Sequence, residues 1–98
     1  VHRLRKGTEG LDPEHVGVYN NLGVLALEER RWELAARFFR HALEHAPNNA
    51  KLYFLLAQAE LKSGERTAAR QSIERAIELD PVRPEFRALQ QDLAGPSH

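Results

Sequence analysis

The 98-residue chain has no cysteine and no methionine. Without cysteine it can form neither a disulfide nor a thiolate metal site. That absence suits an oxidising or a reducing compartment equally, so cytoplasmic placement is a default only. A chain that begins at Val1 and lacks methionine is expected to be a piece cut from a longer protein. Its polar end, Gly95-Pro96-Ser97-His98, reads as a tail or linker. No apolar run approaches the ~18 residues of a membrane-spanning helix, and no secretory signal pattern opens the chain. Charge of either sign is not in excess: 14 basic residues balance 14 acidic ones. A nucleic-acid partner is therefore not expected, since phosphate binding needs a basic surplus. The basic run His2-Arg3-Leu4-Arg5-Lys6 has no interleaved aromatic and reads as a soluble arm.

Catalytic patterns are also missing. Ser63, Ser72 and Ser97 lie in no nucleophile elbow, and no glycine-rich loop could cradle a phosphate. The carboxylates alternate with arginines, as on solvated helix faces. His41 and His45 stand four apart, as metal ligands can. The string His-Ala-Leu-Glu-His lacks the glutamate placement of a zinc protease, and only Glu44 offers itself as a third ligand. Both histidines are expected on a solvated helix face. No enzyme, cofactor or metal is expected.

What the chain does have is a repeat of 34 residues. Tyr19 returns as Tyr53, Leu22 as Leu56, Leu27 as Leu61, Ala35 as Ala69, Ala42 as Ala76, Glu44 as Glu78 and Pro47 as Pro81. Gly23 with Ala57, Phe39 with Ile73 and Leu43 with Ile77 are conservative echoes. A period of this size means stacked copies of one small supersecondary unit.

Apolar spacing of three and four predicts helices from Val16 to about Glu29, Trp32 to His45, Ala50 to Lys62, Arg66 to Leu79 and Pro84 to Ala94. Asp12-Pro13-Glu14 reads as a helix entry, with Asp12 as N-cap and proline in the first turn. Ser63-Gly64 and Asp80-Pro81 are stops. The last helix sets Phe86, Leu89 and Leu93 on one side and polar residues on the other, as a cap should. The expected divisions are an arm or upstream remnant at 1–12, units at 13–49 and 50–83, a capping helix at 84–94, and the tail. In the repeat frame, residues 1–10 put Arg5 at the place of Phe39 and Thr8 at that of Ala42. Trp32 shares its place with Arg66, so it does not define the repeat; it is expected at the inter-helix turn.

The pattern resembles the tetratricopeptide repeat family. Tyr19, Leu22-Gly23, Ala35, Phe39, Ala42 and Pro47 match it in the first unit. Tyr53, Leu56-Ala57, Ala69, Ile73, Ala76 and Pro81 match in the second. The family's second aromatic is missing from both units, where Ala26 and Glu60 stand.

The resemblance implies an all-α, right-handed solenoid of stacked antiparallel helix pairs. It also implies protein–protein interaction through a concave groove lined by the first helix of each unit. Carried over by position, the groove residues are Asn20, Val24, Leu27, Glu28, Lys51, Phe54, Gln58, Leu61 and Lys62, flanked by Gly17, Glu85 and Ala88. Phe54 is the expected anchor. Some members of the family bind acidic chaperone tails through a basic clamp. Asn20, Val24, Leu55, Glu85 and Leu89 occupy its places here, so that partner class is not implied. The rival expectation is a structural or self-assembling module, because Val18, Leu22 and Leu25 lie at an open N-terminal end that a second copy or a neighbouring repeat of a longer parent protein would cover.

Overall fold

The computed structural model describes residues 13–94. Five helices follow one another: α1 (Pro13–Glu28), α2 (Trp32–His45), α3 (Ala50–Lys62), α4 (Arg66–Leu79) and α5 (Pro84–Ala94). The expected N-terminal arm, the Asp12 cap and the polar tail lie outside the described residues. α2 to α5 have the bounds predicted from the sequence. α1 starts at Pro13, three residues before the apolar pattern begins. Proline suits a first turn because its missing N–H would have no intrahelical acceptor there.

Short turns make successive helices antiparallel, and each packs on the next. Beyond these neighbours, α1 touches α3 and α3 touches α5, while α2 and α4 do not meet. The odd-numbered helices therefore draw together on one side and the even ones splay on the other. The array curves, and α1, α3 and α5 line its inner face.

Both intra-unit turns have one design. The Arg31 N–H donates to the Ala26 carbonyl at 2.8 Å and the Arg30 N–H to Leu27 at 3.0 Å. One period later, Glu65 donates to Glu60 at 2.8 Å and Gly64 to Leu61 at 3.1 Å. This pair of bonds is a Schellman motif, which needs a left-handed residue after the helix. Gly64 supplies it at φ 93°, but Arg30 holds φ 63° with a side chain attached. A left-handed L-residue costs ~1–2 kcal/mol, part of which glycine returns through unfolded-chain entropy. Arg30→Gly is therefore expected to stabilise the chain by ~0.5–1 kcal/mol in a urea melt. A loss would show that the arginine side chain compensates the strain. At the inter-unit turn, Asn49 Oδ1 accepts from the Leu52 N–H at 3.1 Å and caps α3.

Two cores result, and α3 serves both. The first joins α1, α2 and α3 through Ala26, Ala35, Phe39, Ala42, Leu52 and Leu56. The second joins α3, α4 and α5 through Ala57, Ala69, Ile73, Phe86 and Leu93. Tyr53 packs against both. Small residues allow close helix approach: a Cβ on Gly23 would lie 2.7 Å from both Cδ1 and Cζ of Phe39, and closer still to Cε1.

The first core meets one buried charge. Glu60 is 3% exposed. Its carboxylate accepts from Ser72 Oγ at 2.7 Å and from Arg40 at 3.1 Å, tying α2, α3 and α4 together. Arg40 also reaches Glu65 at 3.8 Å. At the far end, Arg66 donates to the Leu93 carbonyl at 2.8 Å, so a side chain from α4 satisfies an end carbonyl of α5.

Candidate functional site

On the inner face, a hollow of about 370 Å³ is lined by Leu27, Trp32, Gln58, Leu61, Lys62, Leu89 and Asp92. Apart from Trp32 of α2, its residues come from α1, α3 and α5, the three helices that curvature brings together. Its walls are aliphatic at Leu27, Leu61 and Leu89. Gln58, Lys62 and Asp92 add an amide, a cation and a carboxylate. Such a mixture can seat one apolar side chain while polar groups fix its backbone.

Four of the expected groove residues meet here: Leu27, Gln58, Leu61 and Lys62. Asn20 and Lys51 do not join them. They line a separate hollow of about 120 Å³ with Val16, Gly17, Asn49 and Leu52. Glu28 is exposed at the end of α1, and Val24 is half-buried against the first core. Glu85 and Ala88 are exposed on α5, with Glu85 3.4 Å from Arg83. The expected anchor, Phe54, is half-buried, and its ring lies 5.0 Å from that of Phe86. Much of its apolar area is thus used to hold the capping helix.

Trp32 is the lining residue that the repeat frame passed over. It is half-buried at the start of α2, with Lys62 Nζ 5.9 Å from its ring centroid. A cation over an indole face is favourable, and it orders both side chains. The same pair borders a second hollow of about 400 Å³, together with Arg31, Glu33, Leu34 and Ser63. The signal available in the sequence was that this is the chain's single tryptophan. Its position beside Arg66 in the frame hid it.

The two histidines differ from one another. His41 is exposed, with its ring stacked 5.1 Å from Tyr19 and its Nδ1 3.7 Å from Glu44. His45 is not on a solvated face: it is half-buried and stacks on His15 at 5.1 Å. The reason is Tyr19, whose ring lies nearly parallel to that of His45 at 6.2 Å and covers that side of the α1–α2 pair. Among the described residues, no three histidine, aspartate or glutamate side chains are grouped to hold a metal ion. No described helix is long and apolar enough to cross a membrane.

Comparison with known proteins agrees with this architecture. A tetratricopeptide repeat family model matches residues 26–93. A protein described as an SGT1 homolog, from Oryza sativa subsp. japonica, is 46% identical over 50 residues. That match covers 51% of this chain and only 14% of the rice protein. The family model runs from the end of α1 through α2, α3 and α4 and over most of α5, and it includes Phe39 of the first core. The chain belongs to the tetratricopeptide repeat family.

Proposed function

We propose that the chain holds a short segment of a partner protein in its concave groove, with an apolar side chain seated among Leu27, Leu61 and Leu89. Repeats of this family are protein-interaction modules. The observation that supports this finer reading is the inner-face hollow and its mixed lining. Trp32 and Lys62 form its rim, and Gln58 and Asp92 can bond a peptide backbone. Asn20, Lys51, Val24, Glu28 and Phe54 extend the proposed surface along α1 and α3.

A displayed library of random peptides, selected against the chain, supplies a probe. Binding of an enriched peptide is expected to shift the emission of Trp32, the chain's single indole. Leu61→Ala is expected to weaken that peptide about tenfold, ~1.4 kcal/mol, as truncation of a contact in a desolvated pocket does. Phe54→Ala is read only beside a thermal melt, because it also loosens Phe86. A peptide that binds with unchanged Trp32 emission and unchanged affinity for Leu61→Ala would place binding elsewhere.

A second reading is self-association through the outer face of α1. It is favoured by Val18, Leu22 and Leu25, which stand exposed in a row.

A further inference from the structure

Trp32 and Lys62 border two hollows at once. The inner-face hollow has Leu27, Leu61 and Leu89 around it and Asp92 on its α5 side. The second lies toward the turns, where Arg31, Glu33, Leu34 and Ser63 join the pair. Their charges differ. Asp92 borders only the first, Arg31 only the second, and Lys62 both. At the second hollow, the two cations face the single acid Glu33.

These charges are not spent inside the protein. Among the described residues, Lys62 and Asp92 form no ion pair, with each other or with any other side chain. Lys62 rests on the Trp32 indole instead. Arg31 lies 3.7 Å from Glu29, but both side chains are exposed, and such a pair holds weakly.

We infer that the segment held in the groove carries three side chains in a set order: a basic one beside Asp92, an aliphatic one among the three leucines, and an acidic one over Lys62 and Arg31. This rests on the groove reading and names the chemistry of its partner. Charge complementarity carries it. A backbone amide can bond Asp92 yet leaves its charge unanswered, whereas a lysine or arginine answers it. Gln58 remains for the backbone. On the other side, a carboxylate meets a cation that the indole has already ordered, so less side-chain freedom is lost on binding. An extended segment advances ~3.3 Å per residue, so it clears a wall one side chain thick in about two or three residues.

The same charges turn other partners away. A run of acids would set one of them against Asp92, and a run of bases would set one against Lys62. The pair is also particular to this place in the array. The repeat puts Arg66 at the place of Trp32 and Glu28 at that of Lys62. Arg66 is engaged by the Leu93 carbonyl, so the frame that holds the stack asks for neither residue of the pair.

Peptides enriched from a displayed random library against the chain test the order. The expected consensus is basic, aliphatic, acidic, with the acid about two or three residues from the aliphatic anchor. Dissociation constants are then read from the anisotropy of a dye-labelled enriched peptide at low ionic strength. Lys62→Glu is expected to weaken it about fivefold, and a peptide whose acid is replaced by lysine should recover on that variant. Asp92→Lys should behave likewise toward a peptide whose base is replaced by glutamate. Both residues are exposed, so thermal melts should not move. An enriched peptide that shifts Trp32 emission and is weakened by Leu61→Ala, but is indifferent to both reversals, overturns the charge order and leaves the groove reading standing. Weakening that the swapped peptides fail to recover overturns it too. If no enriched peptide answers to Leu61→Ala or shifts Trp32 emission, both readings fall.

Discussion

Phe39→Ala is expected to remove ~3–5 kcal/mol of stability, the usual cost of deleting a fully buried aromatic ring. Phe39 has no exposed surface and stands among the largest fully buried side chains. Its ring fills the space that Gly23 leaves on α1, within the core that α1, α2 and α3 share. A small domain holds only ~5–15 kcal/mol in total, so the variant is left close to its unfolding threshold. The loss should also be uneven. Stability in a stacked array is a sum of nearest-neighbour contacts, and α4 and α5 belong to the other core. Urea denaturation followed by circular dichroism should show the large drop. Hydrogen exchange should show α1 and α2 losing protection while α4 and α5 keep theirs. A drop below ~1 kcal/mol would contradict the packing described for this ring.

Gly23→Ala is expected to cost ~2 kcal/mol, although alanine is the better helix former. Replacing glycine inside a helix gains ~1 kcal/mol of propensity. Against that, the new methyl would sit 2.7 Å from two ring atoms of Phe39. Both residues are buried, so the ring has nowhere to turn. Overpacking of this severity costs ~3 kcal/mol and outweighs the gain. The second unit shows the remedy, since it pairs Ala57 with Ile73 where the first pairs Gly23 with Phe39. The double variant Gly23→Ala, Phe39→Ile should therefore be less destabilised than the sum of its parts, with a coupling of ~1 kcal/mol or more. Strictly additive urea-melt values would show that the two positions do not share one volume.

The helices were legible because each carries local punctuation. Asn49 opens α3, Gly64 follows it, and Pro81 lies past α4; these signals act over a few residues. The exception was the start of α1, where the apolar pattern begins a turn later than the proline. What the repeat frame could not show was non-local. Glu60 stands where an aromatic was missed, yet its partners Arg40 and Ser72 come from the helices on either side. Arg30 stands in the polar run Glu28-Glu29-Arg30-Arg31, and nothing in its residue type announces a left-handed turn.

The proposed groove follows from the family resemblance as a face, not as a cavity. The resemblance assigns residues to one side of α1 and α3. It does not say that α5 brings Leu89 and Asp92 alongside, nor that Phe54 spends its ring on Phe86. Trp32 escaped because a repeat draws attention to what recurs, and Trp32 does not.

The buried carboxylate has one more consequence. The two units look alike, but they are not exchangeable. Glu60 is answered by Arg40 of the unit before it, whereas the place of Arg40 in the second unit holds Glu74. A tandem of two second units would bring an acid to the buried acid, and the like charges would repel. The α5 cap carries Ala94 at the place of Glu60, so it asks for no such cation. Shape alone would let these units be shuffled; electrostatics gives them a grammar, in which the first must precede the second and the cap can follow the second.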